Sequence, residues 1–265
     1  MTNNLKIAII QSDVFWETPA KNLAHFEQLI IKLSTENPHL IILPEMFNTG
    51  FSMNPELLAE KIEDNTITWM QMLSKKHNVV IGGTIPVKEN NKYYNRAVII
   101  YPDNKILYYD KKHLFSLGEE NKHYSPGENK TIFNVNGWKI LPLICYDLRF
   151  PVWSKNKYEN DTYEYDLILY PSNWPENRNY QWRHLLIARA IENQAFVVGV
   201  NRIGIDGRKI SYSGNSLIIN PVGSIIYDAK NKAVSRVFEL SKEDLIKYRN
   251  HMTIGKDWDK FSIKN

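Results

Sequence analysis

The sequence predicts a layered α/β fold, with mixed sheets covered by helices. Three features carry that expectation. Short, almost continuously apolar runs such as Leu5–Gln11 and Leu40–Leu43 have the composition of strands buried on both faces. Stretches with apolar residues at helical spacing alternate with them early in the chain. Turn-forming Asn and Asp residues then crowd the middle and end, where antiparallel hairpins are expected.

Leu5–Gln11 opens the chain as a strand. The spacing of Leu23, Phe26, Leu29, Ile30 and Leu33 predicts a helix, with Pro19 near its start, where a fixed φ is compatible and no N–H is needed. Leu40–Leu43 is again strand-like and stops at Pro44, which leaves Glu45 at its C-terminal end. Thr66–His77 reads as a second helix with Ile67, Met70 and Leu73 on one face. Val79–Ile85, Asn95–Tyr101 and Ile106–Asp110 follow as strands, separated by turns such as Pro102-Asp103-Asn104, and Lys111 comes directly after the last.

Trp138–Ile144 is a further apolar strand, ending at Cys145. Asp166–Tyr170 reads as a strand, and Tyr180–Asn193 as a helix whose expected buried stripe is Leu185, Ala188 and Ile191. Ala195–Asn201, Leu217–Asn220, Ser224–Tyr227 and Val234–Leu240 complete the strands, before a short helix near Lys242–Tyr248. No linker, repeat or low-complexity segment interrupts the chain. One domain over residues 1–265 is therefore expected, with a C-terminal tail from about 241.

Composition narrows the function. With 265 residues, 43% hydrophobic and 23% charged, the chain can bury a substantial core. Its 33 basic and 29 acidic residues are scattered, so neither a nucleic-acid partner nor a membrane surface is expected. Lys-Lys-His occurs at Lys75–His77 and Lys111–His113, without the stacking aromatics of an RNA-binding sheet. The four-residue apolar run Ile7–Ile10 is too short for a signal-peptide core, and no run approaches the ~20 residues of a membrane helix. A cytoplasmic location is expected. The single cysteine, Cys145, excludes an intramolecular disulfide. Dispersed histidines without His-Glu-x-x-His, and the lack of a G-x-G-x-x-G or P-loop, predict neither metal nor nucleotide cofactor.

Glu45, Lys111 and Cys145 share a position: each lies at or just past the C-terminal end of an expected buried strand, where α/β sheets bind ligands. Cysteine supplies a nucleophile once its proton is removed. Glu45 is the candidate base. Lys111, with the backbone N–H of Tyr146, is a candidate to hold the oxyanion of a tetrahedral intermediate. Each residue alone also has a plainer reading, as a small buried hydrophobe, a solvated turn acid and one of a wet surface pair with Lys112.

The surrounding segments favour the chemistry. Leu-Pro-Glu-Met-Phe (Leu43–Phe47), Tyr-Asp-Lys-Lys-His-Leu-Phe (Tyr109–Phe115) and Ile-Cys-Tyr-Asp-Leu-Arg-Phe-Pro (Ile144–Pro151) resemble, in order, the three signature segments of the nitrilase superfamily of carbon–nitrogen hydrolases. The resemblance runs from Leu5 to about Tyr227, with further matches at Ala188–Gln194, Gly199–Arg202 and Tyr212–Ser216. It implies a four-layer αββα sandwich that dimerises through one helical layer. It also implies Glu45 as general base, Lys111 as the lysine that stabilises the transition state, and Cys145 as the nucleophile that forms a thioester and releases ammonia. Ser125-Pro126-Gly127 points to Glu120 as the fourth residue, with Glu119 as the alternative register, and to a positioning role for it.

Thr49–Met53, the run after Cys145 and Asn173-Trp174-Pro175 resemble the omega-amidase branch, which removes ammonia from the terminal amide of 2-oxoglutaramate and 2-oxosuccinamate. Arg149 and Trp174, with Tyr146, are the candidates for lining a pocket for such a small amide. Arg149, Arg178 and Arg183 are the candidates to clamp the substrate carboxylate. Asn215 departs from the pattern, which has Asp before Ser216. A Cys–His hydrolase using His113 or His184 is the rival enzyme, and an inactive binding protein of the same fold the rival outside catalysis.

Overall fold

The computed structural model describes residues 3–263, so positions 1–2 and 264–265 of the expected 1–265 domain lie outside the described residues. The chain begins with β1 (Leu5–Gln11), α1 (Pro19–Ser34), β2 (Leu40–Ile42), α2 (Pro55–Leu58), α3 (Asn65–His77), β3 (Val80–Glu89), β4 (Lys92–Ile100) and β5 (Ile106–Asp110). A short α4 (Glu120–His123) precedes β6 (Phe133–Val135), β7 (Trp138–Pro142), α5 (Pro151–Ser154), β8 (Tyr158–Glu159) and β9 (Thr162–Tyr163). Next come β10 (Leu167–Ser172), α6 (Asn179–Asn193), β11 (Phe196–Asn201), β12 (Ile203–Ile205) and β13 (Ser211–Ser213). The described chain closes with β14 (Leu217–Ile219), β15 (Ile225–Asp228), β16 (Val234–Leu240) and α7 (Lys242–His251).

Two six-stranded mixed sheets form, in the orders β16-β1-β2-β3-β4-β5 and β15-β14-β11-β10-β7-β6. The period of two along each strand explains how they stack. Leu5, Ile7 and Ile9 of β1 point between the sheets and pack with Trp138, Ile140, Leu167, Leu169, Phe196 and Val198. Ala8 and Ile10 point the other way, into a layer with Phe26 and Ile30 of α1 and Met70 and Leu73 of α3. On the far side, Leu141, Ile168 and Val197 pack against Trp182, Leu186 and Ala190 of α6. The result is the expected αββα sandwich.

The short strands β6, β8, β9, β12 and β13 were not among the expected elements, and other features also depart from expectation. β3 and β4 extend further and meet at Asn90 and Asn91, both at positive φ, in a two-residue hairpin that the polar run concealed. In α6 the expected stripe of Leu185, Ala188 and Ile191 is not the buried face; Trp182, Leu186, Arg189 and Asn193 are, while Ile191 is 46% exposed. Arg189 and Asn193 are buried because they bond to the Leu148 carbonyl and to Asn156 N–H, which polarity alone could not reveal. Beyond 241, α7 packs Leu245 into the inter-sheet core and pairs Arg249 with Asp166 at 2.8 Å.

Candidate active site

The strands that matter end at one edge. Glu45 follows β2 and Lys111 follows β5 in the first sheet, and Cys145 follows β7 and Asn173 follows β10 in the second. Cys145 stands on an elbow at φ +42°, a conformation a non-glycine residue rarely adopts. The buried Asp147 carboxylate braces that elbow by accepting from Ile144 N–H at 3.0 Å.

The structure gathers Glu45, Lys111 and Glu120, all fully buried, beside Cys145, which is 8% exposed. Lys111 Nζ donates to Glu45 Oε1 at 2.8 Å and to Glu120 Oε1 and Oε2 at 3.0 and 2.9 Å. Glu120 also accepts from Asn95 Nδ2 and from the Phe115 N–H. Two oxygens offer about four lone-pair positions, so Glu120 is saturated. Glu45 Oε1 is likewise filled, by Lys111 and by Asn95 Nδ2 at 2.8 Å. Glu45 Oε2 accepts only the Asn173 N–H among backbone donors, at 2.8 Å, and the Glu45 charge acts on the neighbouring Cys145 thiol. Glu45 can therefore receive a proton where Glu120 has no free position.

Burial and the Glu45 charge push the Cys145 thiol well above the ordinary thiol range, although Lys111 pulls the other way. Burial opposes the Lys111 ammonium, but Glu120 and Glu45 outweigh it and keep the amine more basic than a free lysine. Burial raises Glu120, with Lys111 opposing and Glu45 reinforcing. The resting site thus holds a neutral thiol next to an ammonium. Attack by sulfur requires the thiol proton to move to a neighbour during the reaction.

A cleft of about 170 Å3, open at its mouth, leads to Cys145. Tyr146, Arg149 and Trp174 line it, as the sequence led one to expect, together with Arg178 and Tyr212. Arg149 lies over the Trp174 ring and Arg178 over the Phe115 ring. Arg208, which the sequence reading did not single out, also lines the cleft. Arg96, Arg183, Arg189, Arg202 and Arg249 each have a carboxylate partner, whereas among the described residues Arg149, Arg178 and Arg208 have none. The β12–β13 ribbon that carries Arg208 and Tyr212 sits tightly on the end of β1: Gly204 (φ +96°) and Gly214 (φ +70°) leave no room for a Cβ against Asp13 and Gln11.

Other candidates lie elsewhere. Arg183 pairs with Asp228 at 2.6 Å and is not among the cleft residues. Glu119 is exposed, at φ +67°, and pairs with Lys122, so Glu120 is the residue that enters the site. His113 is stacked on Phe150 and held by Asp147 at 2.8 Å, and His184 is exposed on α6, bonded to the Tyr180 carbonyl. Neither lines the cleft. Asn215 occupies a left-handed turn (φ +58°), a conformation asparagine tolerates, with its side chain on Ser213. Asn95 and Thr84 were also missed; their only signal is a polar residue among apolar ones in a strand. Among the described residues no group of His, Cys, Asp and Glu could hold a metal ion.

The carbon-nitrogen hydrolase family model matches residues 6–248. This chain belongs to the carbon-nitrogen hydrolase family. Within these hydrolases it is 41% identical over 261 residues to omega-amidase YafV of Escherichia coli strain K12, covering 98% of each chain. It is 34% identical over 223 residues to the 2-oxoglutaramate amidase of Bacillus subtilis, covering 83% of this chain and 84% of that one. XC1258 of Xanthomonas campestris, a carbon-nitrogen hydrolase superfamily protein with an arsenic adduct in its active site, superposes with a TM-score of 0.96 at 33% identity over 99% of this chain and 100% of that one. The chain is thus an amide-hydrolysing enzyme of the omega-amidase-like branch of the nitrilase superfamily. Among the described residues no helix is long and apolar enough to cross a membrane.

Proposed function

We propose that this enzyme hydrolyses the terminal amide of small 2-oxo dicarboxylic acid monoamides, 2-oxoglutaramate and 2-oxosuccinamate, through a thioester on Cys145. The observation that carries the reading is the pairing of a buried Glu45–Lys111–Cys145 group with a small cleft holding three arginines that have no carboxylate of their own. The names of the Escherichia coli and Bacillus subtilis relatives, an omega-amidase and a 2-oxoglutaramate amidase, support this reading.

In this mechanism Cys145 Sγ attacks the amide carbon as Glu45 takes the thiol proton. Of the three Lys111 N–H bonds, one goes to Glu45 and one is shared between the two Glu120 oxygens, which leaves the third for the developing oxyanion together with the Tyr146 N–H. The C–N bond breaks as Glu45 returns its proton to nitrogen, and ammonia leaves. Water, deprotonated by Glu45, then attacks the thioester carbon; the 2-oxo acid departs and the thiol is reprotonated. Glu120, saturated by its donors, holds Lys111 in place. The substrate carboxylate lies among Arg149, Arg178 and Arg208, with Trp174 forming the apolar wall.

The Cys–Lys–Glu set would serve an amide, a carbamoyl group or a nitrile equally, so substrate choice falls to the cleft. The direct test is ammonia release from 2-oxoglutaramate beside glutamine, asparagine, a carbamoyl amino acid and a simple nitrile. Preference for the 2-oxo acid amide by at least about tenfold in kcat/KM supports the reading, and equal or better turnover of the others overturns it. We further propose that two copies pair through the helical layer containing α6, where Ile191 is exposed and Leu185 and Ala188 are half-buried, in a reducing cytoplasm that keeps Cys145 a thiol. Sedimentation of the purified enzyme tests the pairing.

A further inference from the structure

The two carboxylates of the site are bridged by a neutral group. Asn95, fully buried in β4, donates one Nδ2 hydrogen to Glu45 Oε1 at 2.8 Å and the other to Glu120 Oε1 at 3.0 Å. An asparagine carboxamide can turn over, and turned the other way it would aim an oxygen at two carboxylates. Its orientation is set one layer further out. Thr84 Oγ1, fully buried in β3, accepts from the Met46 N–H at 2.8 Å, so its own hydrogen is free to go to Asn95 Oδ1, 2.9 Å away. The chain Met46 N–H, Thr84 O–H, Asn95 amide, carboxylates therefore has a single polarity.

We propose that Thr84 and Asn95 are positioning residues that select which Glu45 oxygen acts as the base. Asn95 and Lys111 together fill Oε1, which leaves Oε2, with only the Asn173 N–H on it from the backbone, to take the Cys145 proton. Thr84 acts one residue removed, by preventing the carboxamide from turning. The charged and titratable groups facing Asn95 are Glu45, Lys111, Glu120 and the Cys145 thiol, with Tyr124 beyond Glu120 and Tyr212 beyond Glu45. This inference rests on the proposed roles of Glu45 and Cys145, but not on the substrate.

The test is Thr84→Val, which keeps the shape and removes the hydroxyl, with Thr84→Ala as a smaller second variant and Thr84→Ser as the rescue. Wild-type turnover of 2-oxoglutaramate tests the substrate reading; only variant-to-wild-type ratios test this inference. Thr84→Val is expected to lower kcat about tenfold, with KM within about twofold, because an unanchored Asn95 carboxamide weakens its charge-assisted bonds to the carboxylates. With the Asn95 bonds to the carboxylates weakened, the acidic limb of the kcat/KM profile moves up by about one pH unit. Thr84→Ser returns both to within about threefold of wild type. Because Cys145 is the only cysteine, its alkylation by iodoacetamide, followed by intact mass, gives the same readout without any substrate: its pH dependence moves with Thr84→Val and is restored by Thr84→Ser. Profiles that keep their wild-type shape and merely scale down, in activity and in alkylation, overturn the inference and leave Thr84 a packing residue. So does a Thr84→Val enzyme with unchanged kcat.

Discussion

The Tyr109 hydroxyl donates to Asp147 Oδ2 at 2.7 Å, inside the protein. Tyr109 stands two residues before Lys111 and Asp147 two residues after Cys145, so this bond ties the lysine strand to the nucleophile elbow. Asp147 accepts three more: from Ile144 N–H, from His113 N–H and from the His113 ring. One carboxylate thereby sets the distance between an ammonium on one sheet and a sulfur on the other.

Asp147→Asn keeps the shape but replaces one oxygen with a donor facing donors. Loss of a buried, charge-assisted network of this kind costs about 2 kcal/mol or more, which lowers Tm by roughly 4–8 °C in a chain of this size. Activity is expected to fall with it, by more than the unfolded fraction accounts for. Calorimetry and ammonia release on the same sample separate the two effects.

The histidines offer a sharp contrast. His113 is committed to Asp147 and to the Phe150 ring, and His184 to the exterior of α6. His184→Ala is expected to keep amidase activity, and His113→Ala to keep most of it. Glu45→Gln, Lys111→Ala and Cys145→Ala each abolish it. The opposite pattern would restore a Cys–His mechanism.

Arg208 belongs to the cleft wall and not to the buried catalytic group. Arg208→Ala should raise KM for 2-oxoglutaramate about tenfold or more, the scale of a lost charge-assisted bond, while kcat changes little. An uncharged amide of the same length should show no such change. Equal effects on both substrates would place the carboxylate elsewhere.

Alkaline pH should unfold the enzyme. Burial raises the phenols of Tyr109, Tyr124, Tyr165, Tyr170 and Tyr212, and it raises the Cys145 thiol. Lys111, whose carboxylate partners outweigh burial, is raised as well. A group whose folded pKa lies above its unfolded value contributes its full stability below the unfolded pKa and loses it as pH rises toward the folded one. For thiol, phenol and amine those unfolded values are about 9 to 10.5, so stability is flat to about pH 9 and falls steeply above it. Thermal melts across that range check the slope. Phenolate absorbance from these tyrosines should appear only with unfolding.

Much of this was legible in the sequence for a physical reason. Apolar runs such as Leu5–Gln11 must be buried on both faces, and Glu45, Lys111 and Cys145 stand where those runs end, so strand composition made them candidates and the surrounding motifs singled them out. The motifs around them added the family and its four layers. Other features depend on contacts between residues far apart in the chain. Whether Glu119 or Glu120 enters the site turns on the left-handed Glu119 and on Asn95, 25 residues earlier in the chain, which donates to Glu120. The buried face of α6 defied its apolar stripe because Arg189 and Asn193 find partners at Leu148 and Asn156. Arg183 and Arg208 look alike as text, and only the position of Asp228 separates the paired one from the free one. The sequence by itself determined the long buried strands and helices and the reactive side chains that close them, since burial and backbone preference act locally; short elements such as β12 and β13 carried no such signal. The tertiary structure alone decided how many donors each carboxylate receives, and with that count which of the two buried glutamates retains room for a proton.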